Sequence, residues 1–312
     1  MKSSTGYAPN AMETQCLVLL ARLGRLLPRH LHLAWPTTTL RNAYIYLNRL
    51  SAAGLVAYIE HFEAPPANRR TRKNQLWKRH GRIYSLTPLG WDYLKASFPH
   101  LEETNERLAP TYFNPRHQAE HQIEYADLVT SILRDLDTIP GMVGMSSYIE
   151  MDLSEQARPR ADGIIVLRRW KDSTRHLDER SSCYPWLLVA RQEEQIDELF
   201  AIEIDRGTEE ASIITGKARS YGELYDAGSW KERFQWPLIA FAVPTERRQQ
   251  VIFDAWDRGW PGGPIRCTTF DAIHAHGALA PIWTHQQRIQ GERILHANVP
   301  LLRSSWAEAV IA

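Results

Sequence analysis

The sequence predicts a two-domain α+β protein: a helical module closed by a β-hairpin, followed by a longer module of mixed α/β character. Three observations carry this. At 312 residues the chain can build about two domains of ~150 residues, each burying its own core. Its N-terminal part shows a 3.6-residue apolar period punctuated by glycines, then a basic stretch without acids. Its remainder alternates short apolar runs with amphipathic segments, the pattern of strands and helices packed in layers.

Composition narrows the class. The chain is 44% hydrophobic and 23% charged, as expected of a globular protein rather than a disordered one. Three cysteines, Cys16, Cys183 and Cys267, are too scattered for a disulfide framework or a cysteine-based zinc site. No apolar run approaches ~18 residues and no basic-then-apolar signal opens the chain. The expectation is a cytoplasmic protein with no membrane partner. The net charge of +1 hides a basic block. Between Ala64 and Trp91 there is no Asp or Glu, yet Arg69, Arg70, Arg72, Lys73, Lys78, Arg79 and Arg82 fall there. Such a block on a neutral protein reads as a polyanion surface on one module, or else as a solvated loop.

Taken in order, residues 13–24 carry Leu17, Leu20, Ala21 and Leu23 at helical spacing and stop at Gly24. A short second helix is predicted at 31–35. Thr37, Thr38 and Thr39 offer an N-cap to a third at 40–53, where Leu40, Ala43, Tyr44, Leu47 and Leu50 share a face. Gly54 ends it. Residues 55–59 read as a strand, the basic block as a loop, and 82–87 as the returning strand. Thr87-Pro88-Leu89-Gly90 opens a last helix with a capping threonine and an early proline.

Three helices and a hairpin with a basic tip is the layout of a winged helix-turn-helix. Leu47-Asn48-Arg49-Leu50 running into Gly54-Leu55-Val56, and Tyr84-Ser85-Leu86-Thr87-Pro88-Leu89-Gly90, resemble the matching stretches of winged-helix regulators. That resemblance implies a recognition helix in the major groove of double-stranded DNA, with the wing on phosphates. Arg41, Asn42 and Tyr46 then stand near the exposed start of the recognition helix, and Arg69, Arg70, Arg72, Lys73, Lys78 and Arg79 on the wing. A module that makes only protein contacts is the competing reading. The predicted domain spans residues 12–98, with a polar, proline-containing linker over 99–116.

The second domain, 117–312, opens on an amphipathic helix at 117–136. Strands are predicted at 163–167, 199–204, 237–243 and 265–269, helices at 209–225 and 246–258, and further helices at the C-terminus. Residues 171–198 fit no regular element and read as an insertion. Two acids stand at the ends of apolar strands: Asp162 opens one, and Glu203, followed by Ile204 and Asp205, closes the next. Paired carboxylates of this kind hold a divalent cation such as Mg²⁺ at a phosphodiester, the predicted metal ligands being Asp162 and Glu203. Acids turned toward solvent or arginine are the alternative.

Arg158-Pro159-Arg160-Ala161 ahead of Asp162, then Phe200-Ala201-Ile202-Glu203-Ile204-Asp205-Arg206-Gly207-Thr208-Glu209 with Lys217 and Tyr221 downstream, resembles the replication-relaxation family of plasmid and mobile-element proteins. The resemblance implies a winged helix joined to a restriction-endonuclease-like domain of the PD-(D/E)xK type. It also implies work in plasmid replication, DNA relaxation or mobilisation. One departure matters: the catalytic-lysine position is occupied by Asp205, so the catalytic set becomes Asp162, Glu203, Asp205 and a displaced Lys217. Glu120 or Glu124 could add an acid from the preceding helix.

Rival chemistries are thinner. His117-Gln118-Ala119-Glu120-His121 matches an inverted zinc-protease string without a third ligand, and His274-Ala275-His276 resembles a metal-holding pair. No phosphate-binding glycine loop occurs. Trp230, Trp236, Trp256 and Trp260 serve either base stacking or core packing. The leading expectation is a DNA-binding protein of plasmid or mobile-element replication and relaxation with Mg²⁺-dependent nicking activity. The alternative is a winged-helix transcriptional regulator whose nuclease-like domain is inactive and serves a homodimer or ligand sensing.

Overall fold

A computed structural model of the chain describes residues 7–63, 78–98, 119–136, 141–152, 159–171, 194–228, 236–289 and 291–302. The protein is a two-domain α+β chain that divides into compact units at Met1–Ala126 and Asp127–Ala312. The predicted linker, 99–116, lies outside the described residues.

The first unit is built from helices α1 (Ala11–Leu23), α2 (Pro28–Ala34), α3 (Leu40–Ala52) and α4 (Pro88–Ser97), with strands β1 (Arg25–Leu26), β2 (Val56–Glu63) and β3 (Lys78–Leu86). Local chemistry sets each boundary. Asn10 caps α1 in a reciprocal box with Glu13, and Gly24 ends the helix at φ 68°. Thr39 caps α3 by accepting from the Asn42 amide at 3.2 Å, and Thr87 caps α4 by accepting from Gly90 at 3.1 Å. Ala43, Leu47 and Leu50 form the buried stripe of α3. The sheet order is β1-β3-β2, all antiparallel, so the hairpin gains a third strand from two residues that carried no strand signal. Gly90 has a steric reason. A Cβ there would lie 2.0 Å from the Leu55 carbonyl oxygen, so only glycine lets α4 sit against the start of the hairpin.

Helix α5 (Ala119–Asp135) places Ile123 against Leu27, Ile83 and Ile59 in the first unit. In the second unit, a seven-stranded mixed sheet runs β10-β9-β8-β7-β6-β5-β4. Its strands are β4 (Met142–Asp152), β5 (Arg160–Trp170), β6 (Gln195–Ile204), β7 (Leu238–Val243), β8 (Ile265–Thr269), β9 (Trp283–Ile289) and β10 (Glu292–Val299). β4, β5 and β6 form an antiparallel meander. β6, β7 and β8 are parallel, so each step needs a crossover helix: α6 (Ala211–Ala227), then α7 (Glu246–Gly259). The short helix α8 (Phe270–His276) follows β8.

Helices α6 and α7 share one core with the sheet. Ile214, Ala218, Tyr221 and Leu224 of α6 meet Ile252, Phe253, Ala255 and Trp256 of α7 over Ala201, Ile239, Phe241 and Val243. The helices approach closely, because a Cβ at Gly259 would lie 2.2 Å from the Thr215 carbonyl oxygen. Thr215 also donates to the Ala255 carbonyl at 3.1 Å.

Two sequence expectations are corrected here. Where helices were expected after β8, the described residues form the short helix α8 and then the β9–β10 hairpin. Residues 195–198, expected to lie in an insertion, belong to β6, and 172–193 of that span lie outside the described residues. Strand β4, which no sequence signal marked, completes the meander at one edge. Among the described residues no helix is long and apolar enough to cross a membrane.

Candidate functional site

The site grows from the pairing of β5 with β6. Gly163 is paired with Ile202, so one step further along both strands Asp162 stands opposite Glu203. The Asp162 carboxylate accepts from the Ile204 amide at 2.7 Å, which ties the acid of one strand to the backbone of the other. Glu203 follows Ala201 by two residues and so shares its face, the face covered by α6.

Helix α6 brings two donors to that face. Lys217 and Tyr221 are four residues apart and point together. The Tyr221 hydroxyl donates to Glu203 Oε1 at 2.7 Å, and Lys217 Nζ donates to Glu203 Oε2 at 3.0 Å. The same ammonium donates to Glu209 Oε1, also at 3.0 Å. Tyr221 is packed 5.5 Å, centroid to centroid, from Trp256, which fixes its ring.

Electrostatics follow from burial. Glu203 is 1% exposed. Desolvation pushes its carboxyl up, to about 7, against the lowering pull of Lys217, while Asp162 adds a like charge that raises it further. Burial draws the Lys217 ammonium down, but Glu203, Asp162 and Glu209 together carry it well above the ordinary lysine range. Tyr221 is raised by burial first and then by the Glu203 charge, so it remains a phenol that can only donate toward that carboxylate.

Asp205 has a different setting. Its two oxygens take Nε and Nη2 of Arg248, the latter at 2.9 Å, and the same Nη2 donates to the Glu209 carbonyl at 2.6 Å. The structure therefore brings Asp162, Glu203 and Lys217 together, and places Asp205 in a bidentate pair with arginine. Glu209 and Tyr221 stand in the resembling stretch without a role legible from sequence, and Arg248 carries no sequence signal at all. An arginine in the first turn of α7 carries no one-dimensional signal of a partner forty-three residues earlier.

Of the acids, Glu203 has both oxygens engaged by Tyr221 and Lys217, Asp162 accepts from the Ile204 amide, and Glu209 Oε2 is buried without a hydrogen-bond partner. Among the described residues no cluster of three His, Cys, Asp or Glu side chains converges to hold a metal alone.

In the first unit, Arg41 is exposed and Asn42 and Tyr46 are half-buried along α3. Asn48 Oδ1 accepts from Arg82 Nη1 at 3.2 Å and from the Tyr84 hydroxyl at 3.1 Å, joining α3 to the hairpin. The Arg82 guanidinium lies 4.2 Å over the Tyr58 ring. Lys78 and Arg79 occupy strand positions paired with Glu63 and Phe62. Arg69, Arg70, Arg72 and Lys73 lie outside the described residues, as do His117 and Trp230. His274 and His276 sit in the last turn of α8, with His274 Nε2 3.7 Å from Asp127. Trp256 is fully buried and donates to the Gly263 carbonyl at 3.1 Å, a core role.

A family model described as replication-relaxation matches residues 28–236, more than half of the chain. No curated protein and no solved structure matches it.

Proposed function

Because the chain belongs to the replication-relaxation family, we propose that it acts on plasmid or mobile-element DNA, binding the duplex through its first unit and nicking it through its second. The first unit reads as a winged helix-turn-helix. The order α2, α3, β2, β3, with exposed Arg41 at the head of α3 and β2 paired antiparallel with β3, supports that reading. The second unit reads as a nuclease-like domain of the PD-(D/E)xK type.

One observation carries the nuclease reading: two strand-borne acids, Asp162 and Glu203, stand on paired strands, and Glu203 takes a lysine ammonium supplied by the following helix. Asp162 and Glu203 would hold Mg²⁺, which when bound lowers the pKa of a water and offsets charge at phosphorus. Lys217 supplies a second positive charge for the developing oxyanion, the role Asp205 cannot take. Tyr221 keeps Glu203 turned into the site by its 2.7 Å hydrogen bond.

A nicking assay on supercoiled plasmid with Mg²⁺ or Mn²⁺, and with EDTA as the control, tests this. Asp162→Ala and Glu203→Ala are expected to abolish nicking while leaving duplex affinity within about twofold, since phosphate contacts supply most of the binding free energy. Full nicking by both variants would refute the assignment. A second reading, a regulator with a silent nuclease-like domain, draws on the burial of Glu203 and the engagement of both its oxygens by Tyr221 and Lys217. Sequence-specific duplex binding without nicking under any metal would establish it instead.

A further inference from the structure

Resting on that reading of the site, we propose that Glu209 is a positioning residue that fixes the Lys217 ammonium against Glu203, and that the Asp205–Arg248 pair holds Glu209 in place to do so. The flexible four-carbon stem of Lys217 loses much rotamer freedom when held, and a single carboxylate leaves the ammonium free to swing about one contact. Here Nζ donates to two carboxylates, Glu203 Oε2 and Glu209 Oε1, each at 3.0 Å. Two fixed acceptors define a position where one defines only a distance.

Glu209 can act as a fixed acceptor only if its own backbone is held. It lies in the connection between β6 and α6, beside Gly207 at φ 76°, where no regular ladder constrains the chain. Arg248 supplies the constraint. One guanidinium spans the connection, taking both oxygens of Asp205 at its start and the Glu209 carbonyl near its end. Arg248 is itself anchored, since its backbone amide donates to the capping Thr245 hydroxyl at 3.1 Å. The arginine fork suits this task, because its donors lie in one rigid plane. Asp205 therefore influences the lysine through Arg248 and Glu209 rather than through the reacting atoms.

The test reads the lysine directly, in the full-length protein carrying ¹³C-labelled lysine, with Lys217→Arg assigning the signal. A held ammonium gives resolved, non-equivalent ε-proton signals, and a free one gives an averaged pair. Glu209→Gln is expected to average the Lys217 signals. If the wild-type protein nicks DNA, the same variant lowers kcat about tenfold to a hundredfold at nearly constant KM, the range carried by one charge-assisted hydrogen bond. Glu209→Asp, which keeps the charge, recovers part of both effects. Arg248→Lys keeps Glu209 but unties its backbone and is expected to average the lysine signals partially. Resolved, wild-type-like Lys217 signals in Glu209→Gln would overturn the proposal, and the same result in Arg248→Lys would overturn the clamp. A wild-type protein that never nicks refutes the nuclease reading alone, because the lysine signals still decide whether Glu209 positions Lys217.

Discussion

Replacing Tyr221 with phenylalanine removes one hydroxyl from the buried acid and little else. The ring keeps its place 5.5 Å from Trp256, and the backbone of α6 is untouched. What is lost is the 2.7 Å donation to Glu203 Oε1. A hydrogen bond to an ionised group is worth about 1.5–3 kcal/mol, which at 1.36 kcal/mol per pKa unit is about one to two units. The donor favours the ionised carboxylate, so its loss moves the titration upward, from about 7 to about 8–9. At pH 7.5 a carboxyl titrating at about 7 is roughly three-quarters ionised, and one at about 8.5 roughly one-tenth. The assay is ¹³C NMR of the Glu203 carboxyl across pH, assigned with Glu203→Gln. If the wild-type protein nicks DNA, nicking by the variant should likewise fall severalfold at pH 7.5 and recover above pH 9. An unshifted Glu203 titration in Tyr221→Phe would refute the claim that this hydroxyl helps hold the acid ionised against its burial.

Three other perturbations have defined outcomes. Gly90→Ala is expected to cost about 1–3 kcal/mol in chemical denaturation, because the new methyl would lie 2.0 Å from the Leu55 carbonyl oxygen and α4 must shift. Native Glu203 keeps a proton that the unfolded chain sheds, so the stability it contributes is full below about pH 4.5 and is lost as pH rises to about 7, by about 3 kcal/mol. Lys217 is protonated in both states across that window and leaves the slope alone, and Glu203→Gln is expected to flatten the profile. Arg41→Ala or Asn42→Ala should cost about 1–3 kcal/mol on cognate duplex and little on random duplex, if α3 reads bases; equal weakening on both would assign them to phosphate.

Legibility in the sequence followed physical contrast. β8 falls at 265–269 as predicted, and α3 ends one residue earlier than expected, because apolar period, threonine cap and glycine stop agree there. β4 was missed because its centre carries Gly144, Ser146 and Ser147, so burial is set by neighbouring strands rather than by side-chain hydrophobicity. β10 lies where only C-terminal helices were expected, because most of its residues are exposed and present no period-two pattern. Asp162 and Glu203 were visible as acids in apolar runs. The roles of Glu209 and Arg248 were not, since a carbonyl accepted across thirty-nine residues leaves no trace in local spacing.

The mixed sheet also sets an order of assembly. Asp162 and Glu203 meet through an antiparallel meander, and α6 follows directly with Lys217 and Tyr221. Arg248 comes later, beyond the first parallel crossover and at the start of the second. Parallel pairing is a slow, long-range step in folding, because loop closure must precede its reward. A chain emerging from the ribosome therefore exposes acids and lysine before the arginine that ties down Glu209 has been made. In this arrangement the last part of the centre to form is its clamp, and synthesis through α7 is the step that completes it.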